Sequence, residues 1–353
     1  VTYYDKYTRD QIVESELSYL SNYQRVIINS GKISNKGWEI SVSGVPVKVK
    51  NFEWKTIFNW SKNNSMVESL PEGIDKIQIG SGVYNVKSYA EVGKPYGAIY
   101  AKTFKRDAEG YILCQLDGSP KEGQDYEYLG CVQADWRGGW NNVFRLGNFS
   151  FSVMFDFQKG GKFFSQTSIQ SSVDGQSVKS LEGRDADFFS RKILGESDEE
   201  RYGFMRPQNA NTPTANGQVY PDWGRPKGVV LPNCRYDEDV EGLAGQQVLG
   251  YCTPERYWMH YTSRDISRFI YDASYVKLRE ITVSYDLPKK WLRKTPFQTF
   301  RVAAVGRNIA TLFANTPHGL DPQATSTTGN AQGFERGFNL PSATYGFDIK
   351  VSF

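Results

Sequence analysis

The chain of 353 residues contains no stretch of about 18 consecutive apolar residues, so it carries no transmembrane helix. Nothing in it matches GxxxxGK[ST], HExxH or GxSxG, which leaves the phosphate-binding loop, the zinc protease helix and the serine nucleophile elbow without support. Histidine is scarce: His260 and His318 are alone, both in or near connecting segments, where a solitary imidazole is far more often solvated than catalytic. Cys114, Cys131, Cys234 and Cys252 show no CxxC spacing, so a zinc or dithiol redox motif is unsupported. Charge of one sign is missing too. A net charge of +3 is too balanced to argue for nucleic acid, and Lys289, Lys290, Arg293 and Lys294 read as a solvated turn. The acidic run Asp198, Glu199 and Glu200 reads as solvated, and no glycosidase pair can be named. No catalysis, metal or cofactor is expected. The chain opens on Val1 with no basic n-region or apolar signal core. For an exported protein, the expectation is that this N-terminus is not the original one.

What is present is aromatic and periodic. Aromatic residues make up 14% of the chain, while the mean hydropathy is −0.53. In the last eleven residues, Tyr345, Phe347, Ile349, Val351 and Phe353 alternate with Gly346, Asp348, Lys350 and Ser352. That period is two, not 3.6, so the segment is a strand with one apolar face. Its length suits a membrane-spanning β-barrel, whose strands need about 9–11 residues and only one apolar face. The same alternation places strands at Gly37–Val45, Phe52–Trp60, Trp136–Leu146, Phe149–Gln158, Ser274–Tyr285 and Phe300–Asn308, with one more at Val1–Arg9. Phe52, Trp54, Phe58 and Trp60 carry aromatics at both ends of one face, as an interfacial girdle requires. Gly147 and Asn148 make a tight hairpin. In the strand at Ser274–Tyr285, Tyr275, Lys277 and Arg279 share parity with Ile281, Val283 and Tyr285, which predicts a start that projects beyond the apolar band.

The connections alternate in length. Those at 46–51, 147–148 and 286–298 are short; those at 10–36, 61–135, 159–273 and 309–342 are long. An antiparallel up-and-down barrel with short periplasmic turns and long extracellular loops predicts this, whereas a Greek-key sandwich has no reason to place its length at one end. The expectation is an all-β chain of eight transmembrane strands across residues 1–353. Glu53, Lys55, Asn59, Asp156, Gln158, Asp348 and Lys350 would line a wet lumen, and Tyr345, Phe347, Ile349, Val351 and Phe353 would form a C-terminal assembly signal. An open arc of eight strands in lipid leaves two costly unpaired edges, so further strands are expected from elsewhere. The loops hold all four cysteines, where disulfides are chemically possible; Cys114–Cys131 and Cys234–Cys252 are the local pairings, with free thiols the alternative.

Several segments resemble one family. GKISNKGWE at Gly31–Glu39, VGKPYGAIY at Val92–Tyr100, YDASYVKLREI at Tyr271–Ile281 followed by SYDLP at Ser284–Pro288, and GRNI at Gly306–Ile309 look like the C-terminal part of SusC/RagA-type TonB-dependent transporters. The terminal Phe agrees. The resemblance implies a twenty-two-stranded barrel of which these are the last eight strands. It also implies import of large nutrients, glycans or oligopeptides, across the outer membrane of a Gram-negative bacterium. A SusD-like surface lipoprotein would act as lid, contacted by the loops at 61–135 and 159–273. The TonB complex would act through a plug that is not in this chain. Many members carry an acidic calcium-binding-like loop; here the region Asp117–Asp125 (DGSPKEGQD) is too sparse in spaced carboxylates for calcium. Tyr220, Trp223, Tyr257 and Trp258 are candidates for stacking on a sugar or packing on a lid, with loop core as the bland alternative. The rival reading of the chain is a soluble surface β-sandwich, an adhesin or glycan-binding module.

Overall fold

A computed structural model describes residues 1–16, 25–181, 229–252, 256–317, 319–324, 332–337 and 342–353. Its main feature is an eight-stranded sheet: β1 (Thr2–Glu16), β2 (Arg25–Val49), β3 (Phe52–Ser69), β4 (Trp136–Leu146), β5 (Phe149–Lys159), β6 (Tyr275–Asp286), β7 (Thr299–Ala314) and β8 (Thr344–Ser352). Each strand pairs antiparallel with its neighbour in this order, and β1 and β8 are the two edges. This is an up-and-down meander with no crossover.

Residues opposite one another in a ladder share a face, so the register gives the chemistry of each side. One row runs Val49, Phe52, Leu146, Phe149, Tyr285, Val302 and Ile349 across seven strands. The row beside it, on the opposite face, runs Lys48, Glu53, Arg145, Ser150, Ser284, Ala303 and Asp348. The apolar side is stitched by ring contacts: Trp54 on Phe144 at 5.9 Å, Trp140 on Phe155 at 5.8 Å and Phe149 on Tyr285 at 4.6 Å. Two of its indole donors are satisfied within the face, Trp54 Nε1 to Asn142 Oδ1 at 3.0 Å and Trp140 Nε1 to Thr56 Oγ1 at 2.9 Å. Yet the face lies open. Phe149 is 57% exposed and Phe347 86%, and no second sheet covers them among the described residues.

The buried core lies in the long connections instead. The segment between β3 and β4 forms a four-stranded sheet from Lys76–Ser81, Lys87–Glu91, Ala98–Ala101 and Glu127–Cys131. Ile112–Cys114 joins Val229–Tyr236 and Gln247–Cys252 in a second sheet, and Lys162–Ser165, Ile270–Asp272 and Phe334–Glu335 make a third. A helix, Gln166–Val173, starts where the Ser165 hydroxyl accepts a hydrogen bond from the Ser168 amide at 3.1 Å. Among the described residues no helix is long and apolar enough to cross a membrane.

The structure differs from the sequence reading in three places. β1 and β2 run well into the stretch assigned as a connection at 10–36, pairing from Arg9–Lys32 up to Glu16–Arg25. The sequence hid this hairpin because Ile12 and Val13, and Val26, Ile27 and Ile28, stand side by side and keep no period of two. β3 and β7 likewise continue to Ser69 and Ala314, inside the connections expected at 61–135 and 309–342. The third difference lies in β6. A bulge between its pairings to Met154 and Phe155 inserts one residue and reverses the faces above it. Val276 and Leu278, opposite Phe157 and Phe155, join the apolar side, while Tyr275 and Lys277 sit opposite Gln158 and Asp156 on the polar side. The start of β6 therefore does not project as a polar extension.

Candidate functional site

That bulge builds the most organised polar site among the described residues, where the polar face meets the folded connections. Gly160 and Gly161 follow β5 with φ of 73° and 82°, a left-handed turn that sends the chain from β5 into Lys162–Ser165. Asp156 then faces Tyr275 and Arg279. The Tyr275 hydroxyl donates to its Oδ2 at 3.2 Å, Arg279 Nε donates at 3.1 Å, and Arg279 Nη2 forms an ion pair with the same oxygen. Arg279 also donates to Asn308 Oδ1 and Gln323 Oε1, each at 2.7 Å. Lys277 Nζ holds both carboxylate oxygens of Asp321, at 2.7 and 2.6 Å, and the Gln323 carbonyl at 3.0 Å. Gln323 returns a donor to the Tyr275 hydroxyl at 2.6 Å. The segment at 321–323 is thus tied to the sheet by ions as well as amides.

Beside this network lies a cavity of ≈ 390 Å³, bounded by Arg137, Asp156, Gln158, Lys162, Tyr275 and Gln323 among others. Arg137 Nε donates to Gln158 Oε1 at 3.0 Å. Lys162 pairs with Asp272 at 3.3 Å. Burial pushes the Asp272 carboxyl up, but the Ser274 hydroxyl and amide, Asn315 and Lys162 overcome it and hold it at about 2. The cavity wall therefore offers fixed charges of both signs and several amides. Such a wall can hold a polar ligand by hydrogen bonds and does not select for net charge alone.

The other residues named from sequence divide as follows. Glu53, Lys55 and Asn59 alternate with Trp54, Phe58 and Trp60 and lie on the polar face, where Glu53 pairs with Lys48 at 3.2 Å. Asp348 and Lys350 sit on that face opposite Ala303 and Arg301, and both are exposed. Tyr345, Phe347, Ile349, Val351 and Phe353 are exposed on the apolar side of the chain's end, with the Phe353 ring 5.2 Å from that of Phe297. Tyr220 and Trp223 lie outside the described residues. Tyr257 and Trp258 are corrected: they are 0% and 1% exposed, stacked edge-on at 5.1 Å within a buried cluster. A ring with no exposed surface stacks on no sugar, so this pair is loop core. Asp117 spends its carboxylate on Ser119 and Arg256.

Sequence reasoning missed Tyr275, Lys277, Arg279, Asp321 and Gln323. The signal was there for β6. Its apolar positions fall at 276 and 278, then at 281, 283 and 285, and the step of three is what a bulge writes into a strand. Nothing local pointed to Asp321.

No protein-family model matches the chain. It is 24% identical to a TonB-dependent receptor of Formosa agariphila over 97% of this chain and 30% of that protein. Two further TonB-dependent receptors of that organism match at 21% and 26% identity, over 46% of this chain in each case and 20% and 18% of their own lengths. Among solved structures, a RagAB peptide transporter aligns with a TM-score of 0.58 at 16% identity, over 99% of this chain and 33% of that one. A RagAB peptide importer in a closed state aligns at 0.59 with the same identity and coverage. The chain spans about a third of the length of the receptor and transporter chains it matches most fully. It shares their β-rich fold, and it bears a distant, partial resemblance to RagAB and the TonB-dependent receptors.

Proposed function

We propose that this chain is the C-terminal barrel wall, with its extracellular loops, of a TonB-dependent outer-membrane importer. The observation that carries the reading is the continuous, uncovered apolar face across seven of the eight antiparallel strands, backed by a charged and hydrogen-bonded face. Water would not leave such a face open, whereas lipid would cover it. The wall is the last eight strands of a twenty-two-stranded barrel. Its apolar face meets outer-membrane lipid, and its polar face lines the lumen. The connections at 61–135, 159–273 and 309–342 lie outside the cell. The cavity beside Asp156 and Tyr275 opens where lumen and loops meet and forms part of the vestibule for a large nutrient, a glycan or an oligopeptide. The relation to a peptide importer favours neither strongly, because the amides and mixed charges of the wall suit both. A SusD-like lipoprotein lid works over the loops, and the TonB complex acts through a plug carried outside this chain. The wall itself performs no catalysis.

Neighbouring residues on opposite faces test the sidedness. Val153 sits opposite Ile281 mid-strand on the apolar face, and Met154 beside it points to the polar face opposite Glu280. Val153→Arg is expected to cost about 2–4 kcal/mol in refolding of the full-length protein into bilayers, and Met154→Arg to cost little. Equal costs, or a full-length protein that stays monodisperse without detergent, would sink the reading in favour of a soluble sandwich.

A further inference from the structure

We infer that Arg137 is a recognition residue for a carboxylate group of the ligand, which it takes in the cavity wall beside Gly139. The row that carries it runs Ser61, Arg137, Gln158 and Tyr275 across β3 to β6, on the polar face. The next row on that face runs Asn59, Gly139, Asp156 and Lys277. Most polar side chains of the wall already have their partners. Asp156 is taken by Arg279 and by the Tyr275 hydroxyl, which itself accepts from Gln323. Gln158 Nε2 donates to the carbonyls of Gly160 at 3.3 Å and Ala273 at 3.2 Å. Gln323 Oε1 accepts from Lys277 and Arg279, and Lys162 is paired with Asp272. Arg137 is the exception. Its Nε is fixed on Gln158 Oε1 at 3.0 Å, but it forms no ion pair among the described residues, neither with Asp156 nor with Asp135. Its two Nη groups have no acceptor among the described residues.

A guanidinium held at Nε still presents a planar pair of donors, and their spacing matches the two oxygens of a carboxylate. One unpaired cation balances one negative charge, which a carboxylate carries and a phosphate dianion exceeds. A glycine leaves the room for it. A Cβ at Gly139 would meet nothing nearer than the Phe155 carbonyl at 3.7 Å, so no side chain fills the surface between Arg137 and the ladder partners Asn59 and Asp156. Glycine inside a strand weakens the strand and marks places where a ligand comes close to the backbone. Beyond it, Asn59 is exposed and its carboxamide makes no hydrogen bond among the described residues. Gln332, which also lines the cavity, keeps a free carboxamide in the same sense. The subsite therefore takes the acidic end of a larger polar molecule, with its carboxylate on Arg137 and neighbouring polar groups on the amides. Two chemistries supply such an end, a peptide chain terminus and a uronic acid.

The subsite rests on the reading of this cavity as part of an importer's vestibule, and it fails separately from that reading. Affinities are measured by calorimetry on the full-length protein in detergent at pH 7, with two probe pairs. One is an N-acetylated serine–glycine hexapeptide with a free or an amidated C-terminus; the other is trigalacturonate with free or methyl-esterified acids. In one pair the acid is expected to bind about tenfold or more tighter than its neutral form, the yield of charge-assisted hydrogen bonds. A preference in the peptide pair assigns the carboxylate to a chain terminus, and one in the sugar pair assigns it to a uronic acid. Arg137→Gln is expected to bring the preferred acid down to the affinity of its neutral form. Gly139→Leu, which leaves the guanidinium in place and occupies the space beside it, is expected to weaken that acid as well. Acid and neutral forms that bind equally in both pairs, no binding of either acid, or an acid preference that survives Arg137→Gln overturns the subsite. So does undiminished acid binding by Gly139→Leu. Any of these in protein that fractionates with the outer membrane leaves the transporter reading intact. Protein that stays monodisperse without detergent, yet keeps an acid preference that depends on Arg137, sinks the importer and upholds the subsite.

Discussion

Lys277 is the residue on which the polar site turns, because its ammonium is out of water. Its side chain is 7% exposed and that of Asp321 is 13%. Removing one partner of such a pair leaves an uncompensated buried charge, which costs more than the pair contributes. Asp321→Ala is expected to destabilise the full-length protein by about 3 kcal/mol in denaturant titration, and Lys277→Met in the same background to restore most of it. A loss below about 0.5 kcal/mol would mean the pair is open to solvent. A second residue governs the loops. Asp237 is 3% exposed on its side chain and held by Lys105 at 2.9 Å and Lys121 at 2.7 Å, with Asp239 also on Lys121. Burial raises its carboxyl, but the two lysines and the Glu238 amide bring it down from 3.8 to about 2. Because the folded value is the lower one, the stabilisation is full above about pH 4 and is lost as the pH falls through 2. That shift is worth on the order of 2 kcal/mol to the loop fold. Asp237→Asn is therefore expected to melt the loops earlier at pH 7 and to match the wild type near pH 2. A difference that persists undiminished at the acid end would remove the linkage.

At the scale of the strand, the bulge in β6 decides which residues reach the polar face of the sheet. Deleting Arg279 would restore a continuous ladder that still sets Leu278 opposite Phe155 and Lys277 opposite Asp156, and would remove the donors that Asp156, Asn308 and Gln323 accept. Because no side chain changes face, the deletion is expected to keep assembly of the full-length protein, read as the heat-modifiable band on gels, and to lower its melting temperature through the lost Arg279 contacts. Arg279→Gln keeps the bulge and is expected to assemble. A deletion that fails to assemble would show that the faces above the bulge depend on the extra residue, and one with wild-type stability would show that the Arg279 contacts contribute nothing. Strands with different solvents on their two faces were legible. Trp136–Leu146 and Phe149–Lys159 stand where alternation put them, to within a residue. The far parts of β1 and β2 were not, since adjacent apolar residues such as Val26, Ile27 and Ile28 write no period of two. The loop core was not legible either. Cys114, Cys234 and Trp258 come together from distant segments, and only the folded connections reveal that Trp258 is buried.

For the whole molecule, the question is what lies beyond β1 and β8. Both strands offer a full row of backbone donors and acceptors on their outer edge, and neither finds a partner strand among the described residues. In hydrocarbon, each such group left unsatisfied costs several kcal/mol, so a lipid-facing sheet of this kind is stable only as part of a closed ring. On the proposed reading, this chain alone and a closed barrel that contains it should therefore differ in a readable way. In this chain alone, in detergent, amides of β8 are expected to exchange hydrogen far faster than those of β4 and β5, which are paired on both sides. On the proposed reading, further strands of the full-length protein would pair against the two edges, and β8 is then expected to become as protected as β5. If β8 is equally protected in the fragment, the edges have closed on each other or on a second copy, and the twenty-two-stranded reading fails. If β8 stays unprotected in the full-length protein, the chain is not wall at all, and the exposed Phe347 and Tyr345 have some other surface to cover.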